Sequence, residues 1–219
     1  MKISRLIYIF ALLIIISLIS ISCSRSKPEI AYGFLKLILY QDDSELGYSE
    51  RFSFFILPED DDGLDNLDEL YVYHDRDQLR WRMKSDEWVN FKHEGKDWIG
   101  TRSLSIHDGH LPKGVFRAVL VNKGGESSER NFTFDGNVKF PFPDIEIVSG
   151  VYTINSEWPL NKLICYDRTG NYFSTIDLYS LSGNISSLNL SQTVRSVALW
   201  TEDEENFCSA VTNAVIIGN

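Results

Sequence analysis

Phe116-Arg-Ala-Val-Leu-Val-Asn122, a Gly/acid turn, and Ser127-Ser-Glu-Arg-Asn-Phe-Thr-Phe134 is the stretch that decides the fold. Apolar residues alternate with polar ones on both sides of the turn, as they do in a hairpin with one buried face. The same design returns 78 residues later. Val194-Arg-Ser-Val-Ala-Leu-Trp200 is followed by an acidic turn and then Ser209-Ala-Val-Thr-Asn-Ala-Val-Ile216. Each hairpin closes one stretch of chain, which divides the body into two.

Outward from these hairpins, short β-branched and aromatic runs are separated by Gly, Asp, Asn and Ser, and helical periodicity is scarce after Pro28. Strands are expected at residues 32–40, 52–57, 70–74, 79–83, 115–122 and 130–134, then at 145–148, 151–154, 163–166, 172–176, 194–201 and 210–217. Between the groups, Pro141 and Pro143 hold Phe140 and Phe142 in extended conformations. The pattern predicts an all-β protein of two tandem β-sandwich domains, one over 30–136 and a smaller one over 144–219, joined by a linker at 137–143.

The two closing hairpins resemble the last strands of fibronectin type III and immunoglobulin-like modules. Leu111-Pro112-Lys-Gly114-Val-Phe116 is similar to their strand-entry turn, with Phe116 where a tyrosine corner would place Tyr. The resemblance implies a sandwich but no particular activity, because this architecture serves many tasks.

The first residues belong to no sandwich. Lys2 and Arg5 precede an apolar run from Leu6 to Ile21 that stops at Ser22-Cys23-Ser24. A basic start, an apolar stretch and a small residue before the break describe a secretory leader. The Ser20-Ile21-Ser22-Cys23 ending resembles the relaxed lipobox of spirochaetal envelope lipoproteins. That resemblance implies a signal peptide over 1–22, acyl groups such as palmitate on Cys23, and a tether over 23–29. A plain signal peptide with Cys23 incidental, or an uncleaved anchor, are the other readings. Lipidation would tie the chain to a membrane of the cell envelope, with the outer membrane favoured.

The full chain carries 21 basic and 31 acidic residues, a formal charge of −10. Loss of residues 1–22 removes Lys2 and Arg5 and no acid, leaving −12 over 197 residues. Such a body is repelled by anionic headgroups, so the lipid rather than the protein surface would hold it. It is equally unsuited to nucleic acid, whose binding needs a Lys/Arg surface to displace counterions. The partners expected are an envelope or host protein, or a glycan.

Motifs for chemistry are scarce. There is no Gly-x-Ser-x-Gly, phosphate-binding Gly loop, His-Glu-x-x-His or Cys-x-x-Cys. The expectation is therefore a non-catalytic binding, adhesion or scaffolding module without cofactor or metal. His107-Asp108-Gly109-His110 could bring two imidazoles and a carboxylate together, but it is also an ordinary turn. His74 and His93, isolated near strand ends, are expected to be exposed. Glu59–Glu69 holds seven acids in eleven residues, in a spacing that fails the EF-hand pattern and fits a solvated loop. Leu79, Trp81 and Met83 alternate and should face a core. Trp88 and Trp98, with Lys84, Lys92, His93, Lys96 and Arg102 nearby, form a candidate stacking surface for a sugar or peptide, which makes a periplasmic or surface ligand-binding lipoprotein serving an envelope enzyme or transporter the alternative. Cys165 and Cys208 are a candidate disulfide. It would close a loop of about 43 residues and contribute ~4 kcal/mol; two buried free thiols are the other reading.

Overall fold

Alternation along β1 (Glu29–Gln41) decides the layers. Leu35, Leu37 and Leu39 point to one side and Phe34, Ile38 and Tyr40 to the other, with β2 (Tyr48–Glu59) antiparallel beside it, pairing Leu37 with Phe52 and Leu35 with Phe54. The computed structural model describes residues 26–107 and 109–217; the leader over 1–22, Cys23 and Asp108 lie outside the described residues. The remaining strands are β3 (Leu67–His74), β4 (Leu79–Lys84), β5 (Val89–His93), β6 (Lys96–Leu104), β7 (Gly114–Asn122), β8 (Ser127–Phe134), β9 (Asp144–Val148), β10 (Val151–Asn155), β11 (Leu160–Tyr166), β12 (Tyr172–Leu178), β13 (Ser182–Asn184), β14 (Ser196–Asp203), β15 (Cys208–Val211) and β16 (Val215–Ile216).

These build an all-β sandwich. A nine-stranded sheet runs β12-β11-β14-β15-β1-β2-β6-β5, with β16 beside β14, and two smaller sheets, β4-β3-β7-β8 and β13-β10-β9, complete the layers. Register shows that both smaller sheets cover the same face. Leu37 lies opposite Cys208, and Cys208 and Ala210 lie opposite Asp203 and Thr201. Two and four residues back along β14, on the same side, stand Leu199 and Val197.

Two large cores form, and the larger, built mainly from the first half, also takes Trp158, Cys208 and Ala210 from the second. The larger is packed from Phe52, Phe54, Ile56, Leu70, Phe116 and Leu120, with Phe52 edge-on to Phe116 at 5.3 Å and to Phe134 at 4.8 Å between ring centroids. Such pairs add about 0.5–1.5 kcal/mol each beyond the area they bury. The smaller gathers Ile145, Tyr152, Ile154, Leu163, Val197 and Leu199.

The two halves nevertheless share a sheet, because β15 of the second pairs in parallel with β1 of the first. The linker is not a free spacer. Phe142 stacks on Tyr48 at 5.4 Å, and Trp158, 3% exposed in the larger core, donates its indole N–H to Pro141 O at 2.8 Å. The tether expected over 23–29 is also shorter than read. The carbonyl of Ser26 accepts the side-chain amide of buried Asn122 at 2.8 Å, Pro28 is buried, and β1 begins at Glu29.

Both hairpins of the internal similarity form, but in different layers. β7–β8 lies in the four-stranded sheet and β14–β15 in the nine-stranded one, where the second strand breaks after Val211 before β16. The β5–β6 hairpin was not foreseen. It turns on Glu94-Gly95, with φ of 52° and 75°, the two positive φ values that a tight type I′ turn needs.

Candidate binding surfaces

The second face of the nine-stranded sheet carries neither of the smaller sheets. It is lined by two groups of aromatic residues. Phe34 lies 5.7 Å from both Phe55 and Trp98, Phe55 lies 5.0 Å from Phe91, and Phe91 stacks on Trp98 at 6.3 Å. Toward the other edge, Tyr40, Tyr166 and Trp200 surround Ile38, Ala198 and Val211. An ion pair between Lys36 and Glu202 separates the groups, with the Lys36 ammonium 5.8 Å over the Trp200 ring. Burial holds that ammonium below its ordinary pKa. Arg51 lies 4.8 Å over Tyr40. The rings and long side chains shelter Ile38 and Phe55, each 2% exposed, while Phe34 remains 37% exposed.

This placement corrects the expectation for Trp88 and Trp98, which do not form one surface. Trp98 precedes the core residue Ile99 on β6, so it points to the open face. Trp88 packs against the larger core on the other side of the sheet. Trp81 and Met83 face that core as expected, the Trp81 indole donating to Ser105 O at 2.7 Å.

A second surface lies on the outside of the four-stranded sheet. Tyr71 and Tyr73 stack at 6.0 Å, with Arg80 4.8 Å over Tyr71 and Arg117 4.5 Å over Tyr73. Arg117 is paired with Asp75 at 2.9 Å and Arg82 with Glu69. Each guanidinium holds its partner's carboxyl below the ordinary carboxylate range. Guanidinium–ring stacks of this kind stabilise an exposed sheet face by about 0.5–1 kcal/mol each.

His107 and His110 line an open cleft of about 750 Å3 at the end of the sandwich, with Asp42, Tyr48, Glu50 and Arg51. Glu50, which sequence reading passed over, organises the loop. One carboxylate oxygen lies 2.6 Å from His110 Nδ1 and the other accepts the Leu111 N–H at 2.7 Å. Both oxygens are thereby spent on latching the loop to β2. Among the described residues no group of three His, Cys, Asp or Glu side chains is placed to hold a metal ion. His93 is exposed as expected, but His74 is not. It is 1% exposed, between Phe116 at 4.7 Å and Lys113 O, 3.2 Å from Nε2. Its place on an inward position of β3 put it in the core. Phe116 therefore meets the His74 imidazole and the Phe52 ring where the corner would place Tyr.

In the acidic loop, the Ser26 hydroxyl lies 3.1 Å from Asp60 Oδ1 and 3.0 Å from Asp62 Oδ2, donating to one at a time. Asp60 also accepts the Asp62 N–H at 2.8 Å and the Asn66 amide at 3.2 Å. These carboxylates close the loop and hold the entering chain.

The candidate disulfide is corrected as well: Cys165 and Cys208 are buried free thiols. Their neighbours on β14 are Val197 and Asp203, six residues apart, or about 20 Å along the strand. A disulfide needs Cα atoms within about 7 Å. Burial raises the pKa of both thiols, that of Cys208 to about 11.

No family model matches the chain, and no curated protein matches it. Among solved structures it is similar to Tp47, the 47-kilodalton lipoprotein of Treponema pallidum, at 12% identity and a TM-score of 0.43, covering 87% of this chain and 50% of that one. Dimeric latent PorU from Porphyromonas gingivalis is similar at 14% identity and a TM-score of 0.30, over 86% of this chain and 20% of that one. A chain of the complex of Dpr11 IG1 bound to DIP-gamma IG+IG2 is similar at 10% identity and a TM-score of 0.25, over 85% of this chain and 99% of that one. The chain thus spans about half the length of Tp47 and a fifth of PorU. What its own strand pairing establishes is an all-β sandwich with one open, aromatic sheet face.

Proposed function

We propose that the protein is a non-catalytic lipoprotein of the bacterial cell envelope, anchored through acylated Cys23, that binds, adheres to or scaffolds another envelope or host macromolecule. The observation carrying the binding role is the open face of the nine-stranded sheet, where Phe34, Phe91 and Trp98 cluster with no covering layer among the described residues. Aromatic residues are the commonest anchors of recognition surfaces because they bury much area at little entropic cost. The lipobox-like Ser20–Cys23 supports the anchor. Two or more acyl chains would make it stable.

The test has two parts. Wild-type protein should incorporate labelled fatty acid and partition into detergent, and Cys23→Ala should do neither; unchanged partitioning of the variant overturns the anchor. A photocrosslinker at Phe34 should then capture large envelope or host proteins, and a Trp98→Ala variant should lose that capture. Protease treatment of intact cells decides between an outward face and an inward one.

The exposed edge of the Phe34–Trp98–Phe91 stack favours one further reading, a ligand carrier for a sugar or peptide. It would use Trp98 without Trp88. Saturable quenching of Trp fluorescence by small sugars or peptides, lost in Trp98→Ala, supports it over scaffolding.

A further inference from the structure

The anchored reading fixes more than a location, because the fold begins almost at the anchor. Ser26 is held by Asn122 through its carbonyl and by Asp60 and Asp62 through its hydroxyl. Asn122 is 1% exposed, and its side-chain oxygen also accepts the Glu126 N–H at 3.0 Å. Releasing Ser26 would strand a buried amide, so this attachment is part of the core. Three residue steps separate Ser26 from Cys23, and three steps of chain span at most about 11 Å.

Resting on lipidation of Cys23, the geometry points to a fixed stance. The end of the sandwich carrying Asp60, Asp62 and the β7–β8 turn faces the membrane at close range, and the β1–β2 turn and His107–His110 cleft stand away from it. β1 has 13 residues and rises ~3.3 Å for each, which places Leu46 on the far turn about 40 Å from the anchored end. The near end carries Glu59, Asp60, Asp61, Asp62 and Asp65. An 11 Å leash is close to the Debye length of about 8 Å at physiological ionic strength, so these carboxylates feel the headgroup charge. The lipid surface that fits is one poor in anionic headgroups.

The test uses the full lipidated chain in vesicles, with a fluorophore on Asp61→Cys or on Leu46→Cys and a nitroxide quencher on the lipid headgroup. Asp61 and Leu46 are exposed and make no side-chain hydrogen bond among the described residues. Buried Cys165 and Cys208 are poorly reactive to the label. In phosphatidylcholine vesicles the Asp61 label should be quenched several-fold more than the Leu46 label, and a long Gly/Ser insertion after Cys23 should remove the difference. Equal quenching of the two labels without the insertion overturns the stance. At low salt, vesicles rich in phosphatidylglycerol should quench the Asp61 label less than phosphatidylcholine does; equal or stronger quenching overturns the charge argument. Fatty-acid incorporation is read on the same samples, so loss of the anchor itself is seen separately from a wrong orientation.

Discussion

Asn122 donates its side-chain amide to the carbonyl of Ser26, 96 residues earlier in the chain, at 2.8 Å. The bond closes the larger core at the end where the chain enters it. Asn122→Ala leaves the Ser26 carbonyl and the Glu126 N–H without their partner. It should cost about 1–3 kcal/mol, read as a lower urea midpoint at unchanged slope. An unchanged midpoint would show that water replaces the amide freely.

Trp158 joins the halves, reaching from the second into the larger core with its indole bonded to Pro141 O. Trp158→Ala should destabilise by about 3–5 kcal/mol. Because the lost contacts span the joint, unfolding followed by near-ultraviolet dichroism should split from unfolding followed by hydrogen exchange in β9–β10.

Cys165 and Cys208 should resist thiol reagents at neutral pH in the native protein and react together on denaturation, with no change in gel mobility on reduction. Burial favours the protonated Cys208 thiol, whose pKa rises from 9.0 to about 11. Its contribution is therefore complete below about pH 9 and is lost as pH climbs toward 11. Cys208→Ala should lose less stability than wild type across that interval in denaturant titrations.

The Asp75–Arg117 pair acts in the opposite direction. Arg117 lowers the Asp75 carboxyl from 3.8, so its stabilisation is present above about pH 4 and disappears as the carboxyl is protonated below it. Arg117→Gln should be slightly less stable than wild type at neutral pH, and the gap should close on acidification. Exposed pairs are screened, so high salt should narrow the gap at neutral pH as well.

Much of this fold was legible wherever period-2 patterning is strong. Phe116–Asn122 and Leu79–Met83 announce both their strands and their buried sides. Residues 89–104 hid a hairpin because polar and charged side chains outnumber apolar ones there and only the Glu94-Gly95 turn marks it. The open aromatic face was half visible. Trp98 drew notice for its size, but its neighbours Phe34 and Phe55 are brought to it by pairing across β1, β2 and β6, and no local pattern reports that. Trp88 misled for the same reason: ten residues from Trp98 in the chain, it lies on the other side of the sheet. The sharing of one sheet by both halves rests on Leu37 meeting Cys208, a pairing 171 residues apart that neither segment signals alone.

That parallel seam between β1 and β15 also orders events during synthesis. A chain synthesised from its N-terminus delivers β1 first, yet the partner that flanks it on one side arrives only with residues 208–211. Until then β1 offers an unpaired edge with Leu37, Leu39 and Ile38 beside it, and closing so long a loop is slow. The nascent first half is therefore the aggregation-prone stage of this protein's life, and a C-terminal truncation before Cys208, which also removes Cys208 and Ala210 from the larger core, should be degraded by cellular proteases even though it retains β1 to β14.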